Sequence, residues 1–436
     1  MQALKTNDSY ESPFALFRLL LVAAIAGALV GFVGGAFRST LNTVGSQLLI
    51  FIAYLHTVDS HWLIPGFILT SLFTCLCVGI ARFLVKLEPT TIGSGIQHVE
   101  AVMHQGAAPS RFRALPIKFL GGLLSISSGM ALGKEGPTVQ MAAVIGSESG
   151  KLFRLKAKEQ SMLYTSVAGA GLSVAFNAPL AGIAFSVEEI AKKVSIVRLM
   201  VSLTAVCSGI IIYRTYFGNS IEFVVGALLP DTGLSLFLYL VFSVLLSVIG
   251  VLYSRTVIVA LDISDAIKQI SPVTKAMLIG AGVGLLSYFF PHWVGGGGLQ
   301  VDALLTQQSF LLPLVIMLFV RFFLGPLSYV SGVPGGLFTP LLLMGSGLGV
   351  VFVIVINPLL SLADLGQLDP ISFALVGMAA FFTVVVRSPL TGILLTIEMS
   401  GKVELMIPLL IASVICTLIP ALLKQEPIYD LLLNRK

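Results

Sequence analysis

"SGMALGKEGP" (residues 128–137) and "SGVPGGLFTP" (residues 331–340) are two versions of one pattern in the same chain. Slide the sequence over itself until Gly133 meets Gly336. Lys118-Phe119 then falls on Arg321-Phe322, Ser128-Gly129 on Ser331-Gly332, Pro137 on Pro340 and Gly146 on Gly349. A second block matches at nearly the same offset: "APLAGIAFSVEE" (178–189) lies on "SPLTGILLTIEM" (388–399). There Pro179, Leu180, Gly182, Ile183 and Glu188 meet Pro389, Leu390, Gly392, Ile393 and Glu398. Apolar segments coincide by chance in Leu and Val, but seldom in Pro, Gly and charge at fixed spacing. The chain therefore reads as a duplicated unit of about 200 residues, with repeats at about 10–210 and 230–425.

Composition says where such a chain lives. Of 436 residues, 56% are hydrophobic and 11% charged, and mean hydropathy is +0.98. Soluble domains carry about a quarter charged residues. The runs 15–36, 63–85, 235–253 and 337–356 are long enough for a hydrocarbon layer that takes about 20 helical residues to cross. The ten-residue alternation of a membrane β-barrel is absent. The expectation is an all-α polytopic membrane protein, a single transport domain over residues 1–436. Residues 1–14 are mixed polar, with Asp8 and Glu11, and the run after them is too long for the core of a cleaved signal peptide.

Several function classes fall away. The net charge of +5 is spread over short loops, as in the group Lys151, Arg154, Lys156 and Lys158, where it helps to set topology. No loop is long enough for a nucleic-acid-binding domain. Cys75 and Cys77 form a C-x-C without a second pair, Cys207 and Cys416 lie in apolar segments, and His56, His61, His98, His104 and His292 have no partner at metal-ligand spacing. No metal and no cofactor are expected. The motifs of zinc proteases, P-loop pumps and serine hydrolases are missing, so the chain does not read as an enzyme.

Duplicated halves are how many secondary transporters are built, with substrate held where interrupted helices point their N-termini at it. The pattern suits parallel and inverted halves alike. In "GKEGP" (133–137) a proline is tolerated in the first helical turn but not later, so a helix starts near Gly136 and runs through "TVQMAAVIG". Gly133 and Gly136 let the backbone bend and approach a ligand closely. The first amides of that helix lack intrahelical partners, and inside a membrane they need one. A bound anion supplies it, favoured by the helix dipole. In "GGLFTP" (335–340), Gly335 and Gly336 precede the free amides of Leu337 and Phe338, and Pro340 opens the helix. In "GSGIQ" (93–97), Gly93 and Gly95 flank Ser94, whose hydroxyl can donate to an anion.

Ionisable residues within membrane segments point to function. Glu135 opens its helix, where its carboxylate and a free anion compete for one place, and protonation ends the competition. Burial and the amides act on its proton affinity in opposite directions, so it can titrate usefully. Glu188 has a mate in Glu398, which speaks for a structural pair. Glu189 has none, because Met399 stands there. It reads equally as a functional acid or as a solvated charge at a helix end.

These residues resemble the CLC family of chloride channels and proton-coupled chloride transporters, over nearly the whole chain. "GSGIQ" is similar to the family's GSGIP, "GKEGP" matches its G-K/R-E-G-P and "GGLFTP" its G-x-F-x-P. The resemblance implies an inverted repeat of tilted, partly re-entrant helices and a homodimer in the lipid bilayer, with one anion pathway per subunit. It implies that Ser94 contacts the central anion, that the Leu337 and Phe338 amides line its site, and that Glu135 is the gate. Tyr429, within "EPIYDLLL" (426–433), becomes the second hydroxyl donor. Glu189 matches the inner proton-transfer glutamate of the exchanger branch. Gln97 stands where the family has proline, leaving the helix entry there open to a different shape. Ser94, where nitrate-preferring members tend to carry proline, favours chloride. Only thirteen residues follow Leu423, which leaves out the cytoplasmic CBS domains of eukaryotic members. The implied protein is a bacterial chloride/proton antiporter of the inner (plasma) membrane, with a passive chloride channel on the same scaffold as the alternative.

Overall fold

Proline and glycine set where the helices begin and turn. The computed structural model describes residues 13–58, 65–307 and 309–435; His61 and residues 10–12, at the start of the first repeat, lie outside them. Among the described residues there are seventeen α-helices and no strand. The first half contains α1 (Pro13–Val58), α2 (Gly66–Leu87), α3 (Ile96–His104), α4 (Ala114–Ser127), α5 (Glu135–Leu152), α6 (Ala157–Phe176), α7 (Pro179–Phe185) and α8 (Ile196–Phe217). The second contains, in the same order, α9 (Gly233–Ala266), α10 (Pro272–Phe289), α11 (Gly298–Thr306), α12 (Leu311–Val330), α13 (Phe338–Leu362), α14 (Pro370–Val386), α15 (Pro389–Ser400) and α16 (Met406–Leu422). A last helix, α17 (Ile428–Asn434), follows.

Among the described residues, eight helices are long and apolar enough to cross a membrane. The apolar runs 15–36, 235–253 and 337–356 coincide with α1, α9 and α13, and run 63–85 with α2 from Gly66 on, residues 63 and 64 lying outside the described ones. At 46 residues α1 is far longer than run 15–36. Polar residues after Phe37, such as Arg38, Ser39 and Asn42, lower hydropathy without stopping a helix. By contrast α3, α7 and α11 have nine, seven and nine residues, too few for a span of about 20. Residues 162–176 of α6, nearly every residue of α14, and the first three turns of α5 and α13 are buried. These four helices form the interior, paired as α5 with α6 and α13 with α14. Outside them α1 pairs with α8 and α9 with α16. Each pairing in one half is repeated in the other.

The halves are related by a two-fold. Glu188 accepts hydrogen bonds from the amides of Leu390 (2.9 Å) and Thr391 (2.7 Å), at the start of α15. Its mate Glu398 accepts from the amides of Leu180 (2.9 Å) and Ala181 (2.8 Å), at the start of α7. Each acid thus caps the helix that carries the other. Such reciprocity is the mark of an isologous contact. The cores of α7 and α15 are only a few turns long, and their leading amides have no water to turn to. Replacing Glu188 or Glu398 by Ala should each cost about 2 kcal/mol, the loss of hydrogen bonds to a charged acceptor. The cost is read as a lower unfolding temperature in detergent. An unchanged midpoint for both variants would show that the clasp does not hold the halves together.

Candidate functional site

The three glycine-rich loops meet at the junction of the halves. Gly133 donates its amide to the Gly336 carbonyl (2.6 Å), and Gly336 returns one to Gly133 (2.9 Å), an isolated antiparallel bridge between mates. The Gly335 amide donates to the Gly93 carbonyl (3.0 Å). Gly136 lies against Ser94, whose hydroxyl a side chain at 136 would strike. Helix α5 makes its first internal bond from Thr138 to the Lys134 carbonyl (3.1 Å), and α13 from Leu341 to Leu337 (3.0 Å). The amides of Glu135, Gly136, Leu337 and Phe338 therefore all precede the first hydrogen-bonded turn. Pro137 and Pro340 stand in the first turn of their helices, as "GKEGP" and "GGLFTP" imply.

The GSGIQ loop also has a mate, which the repeat pattern in the sequence does not reveal. Gly95 (φ +86°) is the N-cap of α3, and Gly297 (φ +114°) is the N-cap of the equally short α11. Both backbones need a left-handed residue, and glycine supplies it without strain. Two buried cations hold these loops. Lys118 donates to the carbonyls of Thr91 (3.0 Å) and Gly93 (2.7 Å). Its mate Arg321 donates to those of Trp293 (3.3 Å) and Gly295 (2.6 Å). A cation in an apolar interior needs compensating hydrogen bonds, and here loop carbonyls provide them. The match of Lys118 to Arg321 was the available signal. The GSGIQ loop itself shares little but glycine with its mate.

Glu135 is wholly buried at the start of α5. Its carboxylate faces its own backbone amide and also reaches across the junction. Oε1 accepts a hydrogen bond from the Thr339 hydroxyl, one residue into α13, and Oε2 has no hydrogen-bond partner among the described residues. The acid thus occupies the N-terminal frame of the opposite half's helix. On the same side, Lys134 contacts Glu222 at 3.3 Å and Arg38 pairs with the same carboxylate. Glu222 belongs to the loop after α8. Burial pushes its carboxyl up, but Lys134 and Arg38 outweigh this and hold it below the usual range.

Beyond Ser94 the buried polar groups continue. Ser94 and Tyr429 are 0% and 1% exposed, and neither hydroxyl has a hydrogen-bond partner among the described residues. They face one another, because α17 packs on α3. Phe338 closes the side, its ring against Phe176, Phe185 and Phe382. Next comes Glu189, which is buried and not a solvated helix end. It lies in a π-helical turn, Ser186–Ala191, that continues α7. The wider turn sends Glu188 out to cap α15 and Glu189 inward. There Oε2 accepts from the Ser388 hydroxyl, while Oε1 has no partner among the described residues.

Glu189 has company that no local pattern announced. Glu100 of α3, wholly buried, faces it. Lys192 lies 3.8 Å from Glu100 and pairs with Asp430 of α17. Lys192 stands in the loop before α8. Partial burial pulls its ammonium down, but Glu100, Asp430 and Glu189 outweigh that and raise it. The result is a line of polar groups from Glu135 through Ser94 and Tyr429 to Glu189, with ion pairs at both ends. Preformed donors without a trapping cation in the centre suit a small anion, and two buried carboxylates suit a proton.

Known proteins share this arrangement of helices. Residues 73–421 match the family described as "Voltage gated chloride channel". Curated relatives named "H(+)/Cl(-) exchange transporter ClcA" are similar along nearly their whole length. That of Vibrio parahaemolyticus is 33% identical over 96% of this chain and 90% of its own. That of Klebsiella pneumoniae (strain 342) is 34% identical over 98% and 89%. Among solved structures, a slow cyanobacterial Cl-/H+ antiporter superposes with TM-score 0.88 at 32% identity, covering 96% of this chain and 97% of that one. A eukaryotic CLC transporter shares the fold, with TM-score 0.80 at 21% identity over 97% of this chain and 74% of its own. By motif, fold and extent of match, the chain belongs to the voltage-gated chloride channel (CLC) family.

Proposed function

We propose that this protein is a secondary active transporter that exchanges chloride for protons across the inner (plasma) membrane of a bacterium, and not an enzyme. Its partners are chloride, protons and the lipid bilayer, with no nucleic acid and no cofactor. The whole chain acts as one transport domain built from two repeats, about 10–210 and 230–425. By family resemblance it works as a homodimer. One observation carries the reading: Glu135, a buried acid, lies in the N-terminal frame of α13 that is also suited to an anion. Ionised, it fills that place and blocks the path; protonated, it gives up the place to chloride. Chloride then rests on the hydroxyls of Ser94 and Tyr429 and the amides of Leu337 and Phe338. Glu189 passes protons between Glu135's side of the site and the inner solution.

The alternative is a passive channel in which Glu135 gates and protons are not driven. A second buried carboxylate favours exchange, because a gate alone has no use for Glu189. The names of the ClcA relatives and of the cyanobacterial antiporter lend support. The test is to reconstitute the full chain in liposomes, impose a chloride gradient and leave the voltage free. An antiporter moves protons uphill. Chloride flux without proton movement assigns the channel instead.

A further inference from the structure

Chemistry in this molecule sits where the two halves differ. By the duplication, Glu135 falls on Phe338 and Glu189 on Met399. Another such departure is Tyr329, near the end of α12, whose mate is Ile126. Its ring is 5% exposed, and its hydroxyl is buried without a hydrogen-bond partner among the described residues. An apolar residue would fill this place at no such cost, since an unpaired buried hydroxyl is expensive. The hydroxyl points into the GSGIQ loop. A Cβ added to Gly93 would lie 2.9 Å from Tyr329 Oη, so only glycine there leaves it room. Oη faces the Ser94 backbone and the Gln97 side chain, and Tyr329 lies beside Tyr429. Gln97 is held at 3.5 Å to the Ile92 carbonyl through Nε2, and its Oε1 is buried and also unpartnered.

Three buried hydroxyls, from Ser94, Tyr329 and Tyr429, thus border the GSGIQ loop from three separate elements. We propose that Tyr329 is a third hydroxyl ligand for the transported anion, aimed by Gln97, and that it helps to set selectivity among small monovalent anions. This rests on the reading of Ser94 and Tyr429 as central ligands. Gln97, the departure from the family's GSGIP, then acts in a way that proline could not, because proline has no side-chain N–H to donate to the hydroxyl oxygen and so leave its single proton for the anion. A donor added to the site matters most for chloride, which is more strongly hydrated than thiocyanate and gives up more on entry.

The experiment is calorimetric titration of the purified full chain with chloride and with thiocyanate. Tyr329→Phe should bind chloride about ten-fold more weakly, as for one lost hydrogen bond to a charged group. Thiocyanate binding should change less and the unfolding midpoint stay in place. Gln97→Leu should give a smaller loss of the same kind, and none when Tyr329 is already Phe. Should Tyr329→Phe fail to fold, the Gln97 variant carries the same test. If Ser94→Ala and Tyr429→Phe weaken chloride binding while Tyr329→Phe and Gln97→Leu do not, the third ligand is refuted and the central site stands. If none of the four matters, the central-site reading itself falls. Equal losses for both anions would refute the role in selectivity.

Discussion

Glu135→Gln in liposomes should conduct chloride while proton flux falls to the leak of protein-free vesicles. Glutamine has nearly the volume of glutamate but no exchangeable carboxyl proton and no charge. It cannot take a proton from one solution and give it to the other. Nor does it imitate the anion, so the frame at the start of α13 loses its resident competitor. Chloride flux should remain of the same order as in the native protein. The pH response has a definite sign. Native flux should rise as pH falls and Glu135 leaves the path protonated, whereas the variant should lose that part of the response. The Thr339 hydroxyl, which now donates to Glu135 Oε1, can donate to the glutamine's carbonyl oxygen as well, so the site need not be rebuilt. Proton movement surviving in this variant would move the gate to another residue and undo the assignment.

Much of the frame was legible because duplication writes it twice. Pro137 and Pro340 mark two helix starts, and the pair Glu188 and Glu398 marks two reciprocal caps. A lone Gly-Pro pattern in an apolar chain has many readings; the same pattern at matching places has few. What stayed hidden falls into two kinds. Some signals were too thin: the mate of the GSGIQ loop shares little but glycines, which are common at membrane helix contacts. Others are contacts between residues far apart in sequence, such as Thr339 with Glu135, Ser388 with Glu189 and Lys192 with Asp430. No periodicity encodes these. The π turn at Ser186–Ala191 is of this second kind as well. Local propensity hardly separates it from an α-helix, yet it decides that Glu189 faces inward while its neighbour Glu188 caps another helix. Tertiary packing made that choice, which is why the sequence left Glu189 between a solvated charge and a functional acid.

Glu189→Gln provides the complementary result. Proton transport should stop, chloride transport should continue, and chloride flux should still respond to pH, because Glu135 remains to titrate. That retained response separates it from Glu135→Gln, in which both coupling and the gate's pH response are lost. The structural reason is position. Glu189 lies near Tyr429, beside Glu100 and near the Lys192–Asp430 pair, so it is a buried acid outside the frame proposed for the anion. Removing its charge leaves the donors of Ser94, Tyr429, Leu337 and Phe338 untouched. The Ser388 hydroxyl can still donate to the glutamine's carbonyl oxygen, so loss of transport through misfolding is not expected. In the double variant Glu135→Gln/Glu189→Gln, chloride flux should match that of Glu135→Gln alone, since a relay without a gate has nothing to serve. Normal proton coupling in Glu189→Gln would send the search to Glu100, the other buried carboxylate on that side.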